Sequence, residues 1–177
     1  MRIVAGSRKG HKIAAPTGVV TRPTGDRVRE AAFSLIGPIE GASVLDLFAG
    51  SGAMGLEALS RGASRCVFVE RDRGACRVIR ANLEKLRLTG AIVVNRDAVS
   101  ALRDERARAR RYDLVLADPP YDEWDEHAAA IAPLLSDVLE PDALVVVETS
   151  SRVEPELPLD LVTSRRYGSA RITVFSQ

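Results

Sequence analysis

From Ser43 onward, short apolar runs alternate with amphipathic stretches at a regular spacing. The runs Ser43–Phe48, Arg65–Glu70, Ala91–Asn95, Tyr112–Ala117 and Ala143–Glu148 have strand length and near-continuous apolar character. Between them, Ala53–Ser60, Arg73–Leu88, Val99–Arg110 and Asp125–Leu139 read as helices, closed by Gly62, Gly90 and, beyond the last, Pro141. Strand–helix alternation at this spacing predicts βαβ units and a mostly parallel sheet covered on both faces. The tail breaks the pattern: Leu161–Tyr167 and Arg171–Ser176 flank Gly168-Ser169, which predicts an antiparallel hairpin. The fold class is therefore α/β and Rossmann-like, a seven-stranded, mostly parallel sheet ending in a hairpin. In a doubly wound order the fourth strand lies beside the first, across the crevice where ligands bind. Ahead of the sheet, Thr24–Ile36 reads as a helix capped by Thr24 and ended by Gly37-Pro38, with Val28, Ala31, Ala32 and Leu35 on one face. Residues 1–23 have no helical period and carry Gly and Pro; they predict an arm or short strands.

Length changes little, since 177 residues with 46% apolar content make one ordinary globular domain. Charge changes more. The net charge is +1, but residues 1–30 hold seven basic side chains (Arg2, Arg8, Lys9, Lys12, Arg22, Arg27, Arg29) against Asp26 and Glu30. A basic arm on a mildly acidic body points to an anionic partner for the arm. The division expected is an extension over 1–23 and a main domain over 24–177. The two cysteines, Cys66 and Cys76, lack disulfide or metal-ligand spacing, so a reducing compartment is expected and no metal site. No apolar stretch has transmembrane length and the N-terminus has no signal-peptide pattern, so the expected location is the cytoplasm.

The first strand runs into Asp46-Leu-Phe-Ala-Gly50-Ser-Gly52-Ala-Met-Gly55. Gly50, Gly52 and Gly55 satisfy G-x-G-x-x-G between a strand and a helix, and Glu70 ends the next strand about 20 residues on. Such a loop lets backbone approach an adenosine-bearing ligand while an acid grips its ribose. A dinucleotide is one reading. Asp46, just before the turn, favours another: a carboxylate is ill placed beside a pyrophosphate but suits the ammonium and sulfonium of S-adenosylmethionine. Asp97 ends the third strand, where it is placed to accept from an adenine amine beside Ala98; for Glu70 or Asp97 alone, a helix cap or surface acid is equally open.

The fourth strand runs into Asp118-Pro119-Pro120-Tyr121. Two prolines fix φ twice and carry no N–H, so the loop is stiff and its carbonyls are free to accept. Such a loop suits methylation of an exocyclic nucleobase amine. Its lone pair is delocalised into the ring, and acceptors at both N–H bonds (the Asp118 carboxylate and the Pro119 carbonyl) orient it and draw it out of conjugation. Tyr121 offers a face for a flipped-out base. Alignment of amine, methyl and sulfonium does most of the catalysis, and no metal is required.

The glycine loop together with Asp-Pro-Pro-Tyr resembles the class I S-adenosylmethionine-dependent methyltransferases that act on amino groups. Met1-Arg-Ile-Val-Ala-Gly6, Lys9-Gly10 and Thr21-Arg-Pro-Thr-Gly-Asp-Arg-Val-Arg-Glu30 narrow the resemblance, over the whole chain, to the RsmD family of bacterial 16S rRNA guanine-N2 methyltransferases. The resemblance implies S-adenosylmethionine as cofactor, guanine 966 of 16S rRNA as target, the small-subunit (30S) particle as its setting, and a monomeric enzyme. The cofactor set it implies is Asp46, Phe48, Ala49, Gly50, Gly52, Glu70, Arg71, Asp97 and Ala98, with Thr24 at the methionine end. The RNA set is Arg2, Arg8, Lys9, Lys12, Arg22 and Arg27; the catalytic set is Asp118, Pro119, Pro120 and Tyr121. Tyr121 stands where the family often has Phe, and both stack. Residue chemistry alone leaves adenine-N6 and cytosine-N4 methylation open; the guanine rests on the resemblance.

Some signals stay divided. Trp124 reads as core filler or as part of a substrate lid, and the run Arg103, Arg106, Arg108, Arg110 and Arg111 as a solvated helix face or an RNA contact. Cys66 and Cys76 read as small buried hydrophobes, and His11 as a polar arm residue or a phosphate contact.

Overall fold

The computed structural model describes residues 1–16, 25–120 and 124–177. Helix α1 (Asp26–Ile36) leads into alternating elements: β1 (Ser43–Leu47), α2 (Ala53–Ser60), β2 (Arg65–Glu70), α3 (Arg73–Leu86), β3 (Ala91–Asn95), α4 (Ala98–Ala107), β4 (Tyr112–Ala117), α5 (Trp124–Leu135), β5 (Leu139–Ser150), β6 (Asp160–Tyr167) and β7 (Ala170–Ser176). The sheet order is β3-β2-β1-β4-β5-β7-β6. The first five strands pair in parallel, and β7 is antiparallel to both β5 and β6. This is the Rossmann-like α/β fold expected, with the hairpin at one edge. The order places β4 beside β1, so the crossover reverses between them and opens a crevice at their carboxyl ends.

Apolar side chains fill both faces of the sheet. Val44, Leu56, Phe68, Ile79 and Leu114 belong to the side of α1, α2 and α3; Leu45, Val67, Leu102, Val115 and Leu135 belong to the side of α4 and α5. Trp124 is buried in the second core, which settles it as a core residue. Cys66 and Cys76 are buried free thiols. Among the described residues no helix is long and apolar enough to cross a membrane.

Three expectations shift. The helix read from Thr24 with a Thr24 cap begins at Asp26 with Gly25 as its N-cap and no side-chain cap, and its buried residues are Arg29, Ala32, Phe33 and Ile36 rather than Val28, Ala31 and Leu35. The helix read as Asp125–Leu139 ends at Leu135, followed by a 3-10 turn over Ser136–Val138, and β5 already begins at Leu139. Val138 and Leu139 fit a helical period, but both are fully buried, and Leu139 pairs with Tyr112. The expectation that every parallel strand is covered on both sides fails at β3, an edge strand whose Ile92 is 43% exposed.

The arm is ordered over residues 1–16. Arg2 and Lys12 form an antiparallel bridge around a 3-10 turn at Gly6–Arg8, and Ile3 and Ile13 join the first core. Backbone meets backbone where the arm crosses α2: a Cβ on Gly6 would stand 1.8 Å from the Ser60 carbonyl oxygen.

Candidate active site at the carboxyl edge of the sheet

β1 ends in a tight turn. The Ala49 amide donates to the Val69 carbonyl (2.9 Å) and the Gly52 amide to the Ala49 carbonyl (2.7 Å). Phe48 takes a left-handed φ of 61°, unusual for a residue with a side chain. Gly52 caps α2 at φ 79°, and the helix has no side-chain cap. Asp46 serves that purpose from behind: its Oδ2 accepts the Gly55 amide (3.0 Å), one of the first-turn donors a helix leaves unpaired. The third glycine is there for packing. A Cβ on Gly55 would reach 2.3 Å from Phe68 Cε1 and 2.7 Å from Cys66 Sγ, so glycine lets α2 lie against β2. Asp46 is 3% exposed. Burial pushes its carboxyl up to about 7 against the opposing Gly55 bond, and nearby Glu70 adds to the rise.

Glu70 ties the next strand to the loop. Its Oε2 accepts the Gly50 amide (2.8 Å) and its Oε1 the Asp72 amide (2.7 Å), which leaves a lone pair on each oxygen for a ligand hydroxyl. Asn95, which the sequence reading did not single out, steadies this corner by donating Nδ2 to the carbonyls of Glu70 (3.0 Å) and Arg71 (2.9 Å). Arg71 is exposed, and Ala49 and Ala98 are buried. Asp97 is exposed and caps α4: its Oδ1 accepts the Ser100 amide (2.9 Å), and that backbone bond holds its carboxyl below the usual range.

Asp118, half-buried, follows β4 directly, with Pro119 buried behind it. Register places it: Asp46 pairs with Leu116 and Leu47 with Ala117, so Asp118 stands one step beyond, level with Phe48. The Phe48 ring lies 4.7 Å from the His127 ring of α5. A cavity with room for about one water molecule lies among Asp46, Asp118 and Glu148. Glu148, buried near the end of β5, is a further acid that the sequence reading missed, although it too closes an apolar run. A larger cavity of about 400 Å³, lined by Pro38, Glu40, Asp113 and Asp142, opens at the opposite, amino edge of β1 and β4, away from the glycine loop. Tyr121, Thr24 and Arg22 lie outside the described residues.

The basic residues of the arm divide. Arg2 is exposed and pairs with Asp26 at 3.3 Å. Arg8 is half-buried and donates Nε to the Leu86 carbonyl at the end of α3. Lys9, Lys12 and Arg27 are exposed. His11 Nδ1 lies 2.9 Å from the Arg8 carbonyl oxygen. In the second basic run, Arg106 pairs with Asp137, and Arg108 and Arg110 with Glu105.

Comparison with known proteins agrees with this architecture. Residues 1–176 match the family model described as Conserved hypothetical protein 95. The Bacillus subtilis protein YlbH, which carries a provisional rRNA methyltransferase name, is 41% identical over 184 aligned residues, covering 100% of this chain and 99% of its own. Ribosomal RNA small subunit methyltransferase D of Escherichia coli K12 is 42% identical over 122 residues, 68% of this chain and 60% of that protein. Among solved structures, the provisionally named methyltransferase yhhF of Escherichia coli superposes with a TM-score of 0.86 at 36% identity, covering 100% of this chain and 97% of its own. The chain belongs to the Conserved hypothetical protein 95 family, that of the small-subunit rRNA methyltransferases D.

Proposed function

We propose that this protein uses S-adenosylmethionine to methylate the exocyclic N2 amine of a guanine, position 966, in 16S rRNA of the small-subunit particle. Family membership supports an rRNA methyltransferase over a dinucleotide-dependent oxidoreductase. The observation that carries the mechanism is the register of β1 on β4, which brings Asp118-Pro119 level with the turn into the glycine loop.

The residues at the edge fit the cofactor. The tight turn over Phe48–Gly52 leaves Phe48, Gly50 and Ser51 half-buried at the edge, and Glu70 keeps lone pairs for ribose hydroxyls while bracing the Gly50 amide. Phe48, Ala49 and Gly50 frame the loop, Arg71 and Ala98 flank the adenosine side, and Asp97 is placed at its rim. Asp46 holds the first turn of α2, and Thr24 is assigned to the methionine end on sequence alone. Bound there, S-adenosylmethionine supplies a methyl group on an electrophilic sulfonium.

The chain's own part is orientation. The Asp118 carboxylate and the Pro119 carbonyl accept the two N–H bonds of the target amine and turn its lone pair toward the methyl. The rigid Pro119-Pro120 pair fixes both acceptors. Tyr121 is assigned the stacking face for the flipped base. After transfer the amine sheds one proton to Asp118 or solvent. Residues 1–23, with Arg2, Arg8, Lys9, Lys12, Arg22 and Arg27, are assigned to the RNA, residues 24–177 to the methyltransferase domain, and the enzyme acts as a monomer in the cytoplasm.

Single-turnover methylation with labelled cofactor tests this, on naked 16S rRNA and on 30S particles, with the modified nucleotide mapped. Asp118→Asn keeps an acceptor oxygen and should retain partial activity. Asp118→Ala should be far slower with cofactor affinity little changed, and EDTA should not slow the wild type. Tyr121→Phe should stay active, and Tyr121→Ala should lose roughly 1–3 kcal/mol of base capture. Wild-type rates in Asp118→Ala, or methyl groups mapped to another base, would refute the proposal.

A further inference from the structure

Asn82 has no role in the reading above, yet its side chain touches two of the segments that the reading uses. It lies on α3 among Ile79, Leu83 and Leu86 and is 1% exposed. Oδ1 accepts the Ala14 amide (2.9 Å), and Nδ2 donates to the Ala14 carbonyl (3.0 Å) and, at 3.4 Å, to the Ser51 carbonyl. Ala14 belongs to the arm, a few residues before Thr21-Arg22-Pro23-Thr24; Ser51 sits between Gly50 and Gly52. A buried amide on an apolar helix face is costly unless its hydrogen bonds are made, and here they are made to the arm and to the glycine loop together.

We propose that Asn82 is a positioning residue that couples the arm to the glycine loop, so that cofactor in the loop and the placement of the arm influence each other. The proposal rests on the reading of that loop as the cofactor site.

Among the described residues, the arm's other hydrogen bonds to the rest of the chain go to α1, α2 and α3, including the turn that ends α3. Glu57 accepts the amides of Val4 and Ala5 (both 2.8 Å), the Ser60 hydroxyl donates to the Ala5 carbonyl (2.6 Å), and Lys85 Nζ donates to the Lys12 carbonyl (2.8 Å). These hold residues 4–12 against α2 and α3 whatever the loop does. Within the loop, the Gly50 amide goes to Glu70 and the Gly52 amide to Ala49. The Ser51 carbonyl therefore meets α3 through Asn82, and one NH₂ group serves both that carbonyl and the Ala14 carbonyl. A ligand that fixes Ser51 fixes the plane of the amide and with it the exit of the arm. Linkage makes the effect reciprocal: whatever fixes the arm at Ala14 tightens cofactor binding by the same factor.

Amide hydrogen exchange on the full-length protein, with and without saturating S-adenosylhomocysteine, tests this. In the wild type the Ala14 amide and its neighbours should exchange about five-fold more slowly with the ligand, at the lower end of typical coupling. Asn82→Asp keeps the acceptor for the Ala14 amide but removes both Nδ2 donations. In that variant S-adenosylhomocysteine should still bind, and the ligand-dependent slowing should vanish. A structural role alone would raise exchange equally with and without ligand. Equal slowing in Asn82→Asp, or no ligand effect on the arm of the wild type, would overturn the coupling; should Asn82→Asp not fold, Asn82→Ser, which also lacks the two Nδ2 donations, is read the same way. Failure of the cofactor reading looks different: calorimetry would find the affinity for S-adenosylhomocysteine unchanged in Glu70→Ala.

Discussion

The two faces of the sheet are filled by different means. On the side of α4 and α5 the packing is apolar around Leu45, Leu102, Val115 and Leu135, with Glu105 of α4 buried beside Tyr112, and Thr149, Arg171 and Thr173 buried toward the hairpin. On the side of α1, α2 and α3, which also carries the arm, the core includes polar and charged groups: Arg29 and Glu57 are both fully buried, and Ser60 and Asn82 nearly so. Glu57 is the hub. It meets Arg29 Nε at 3.4 Å and Arg61 Nε at 2.9 Å and accepts two arm amides, while Arg29 also donates to the Arg2 carbonyl and meets Asp26 at 3.0 Å. Buried ion pairs add little net stability, because desolvation offsets their attraction. Their directionality is what an apolar core lacks. Directed bonds fix where a strand-poor segment lies, and around Glu57 they are directed at the arm.

The largest expected effect tests that contrast with a matched pair. Glu57→Ala takes from Arg29 its fully buried partner, leaves it Asp26 and the Arg2 carbonyl, and strands two arm amides; it should cost roughly 3–5 kcal/mol, the usual price of breaking a buried pair. It should also free residues 1–16 for proteolysis under native conditions. Leu102→Ala, on the opposite face, should cost about 2–5 kcal/mol through lost burial and a cavity, with the arm as protected as before. Urea unfolding gives the energies and limited proteolysis the state of the arm. Equal release of the arm by both substitutions would dissolve the distinction between the faces.

Asp46 sharpens it with the opposite sign. It points to the arm's side of the sheet, and burial raises its carboxyl from the ordinary value of 3.8 to about 7. Between those values the folded protein holds a proton that the unfolded chain has released. Its contribution to stability is therefore greatest below about pH 4, declines as the pH rises to 7 and is flat above. Asn can still accept the Gly55 amide and carries no charge. Asp46→Asn should lose this slope, matching the wild type near pH 4 and exceeding it at pH 8 by a few kcal/mol, on the order of 1.4 kcal/mol per unit of displacement. Urea midpoints across that range check it; an undiminished slope in the variant assigns the titration elsewhere.

Most of this architecture was legible in the sequence because it rests on short-range patterns. Arg65–Glu70, Ala91–Asn95 and Tyr112–Ala117 are bounded by turns and match their strands end to end, as Ala53–Ser60 matches its helix. Gly50, Gly52 and Asp118 came from motifs in which chemistry and local geometry coincide. What escaped depends on distant partners. Asn82 and Glu57 look like ordinary polar positions of amphipathic helices until the arm, 68 and 52 to 53 residues away, is laid over them. Asp97 reads the same as ligand or as helix cap, and only the Ser100 amide at 2.9 Å shows that one carboxylate oxygen is engaged in the cap. The end of α5 was missed because the apolar residues Val138 and Leu139 suit a helix and a strand equally.

The smallest expected effect is also the cleanest test of independence between the faces. Tyr112 is fully buried at the start of β4, and its hydroxyl donates to Glu105 Oε2. Burial and that bond together push the phenol well above its ordinary value, so it stays protonated and a donor at every pH of physiological interest. Tyr112→Phe keeps the ring in the core and removes the donor. Glu105 retains Arg110 at 3.3 Å and Arg108 at 3.6 Å, so its charge keeps two partners. The cost should be about 1.5–3 kcal/mol, that of one hydrogen bond to a charged acceptor, read as a lower urea midpoint with an unchanged slope. Among the described residues, the side chains of Tyr112 and Glu105 bond to each other and to Arg108 and Arg110, not to the arm or the glycine loop, so protection of the arm and the rate of methylation should stay at wild-type levels. A Tyr112→Phe protein with a loosened arm or slowed methyl transfer would mean that strain crosses the sheet, and the polar network around Glu57 would not be what holds the arm in place.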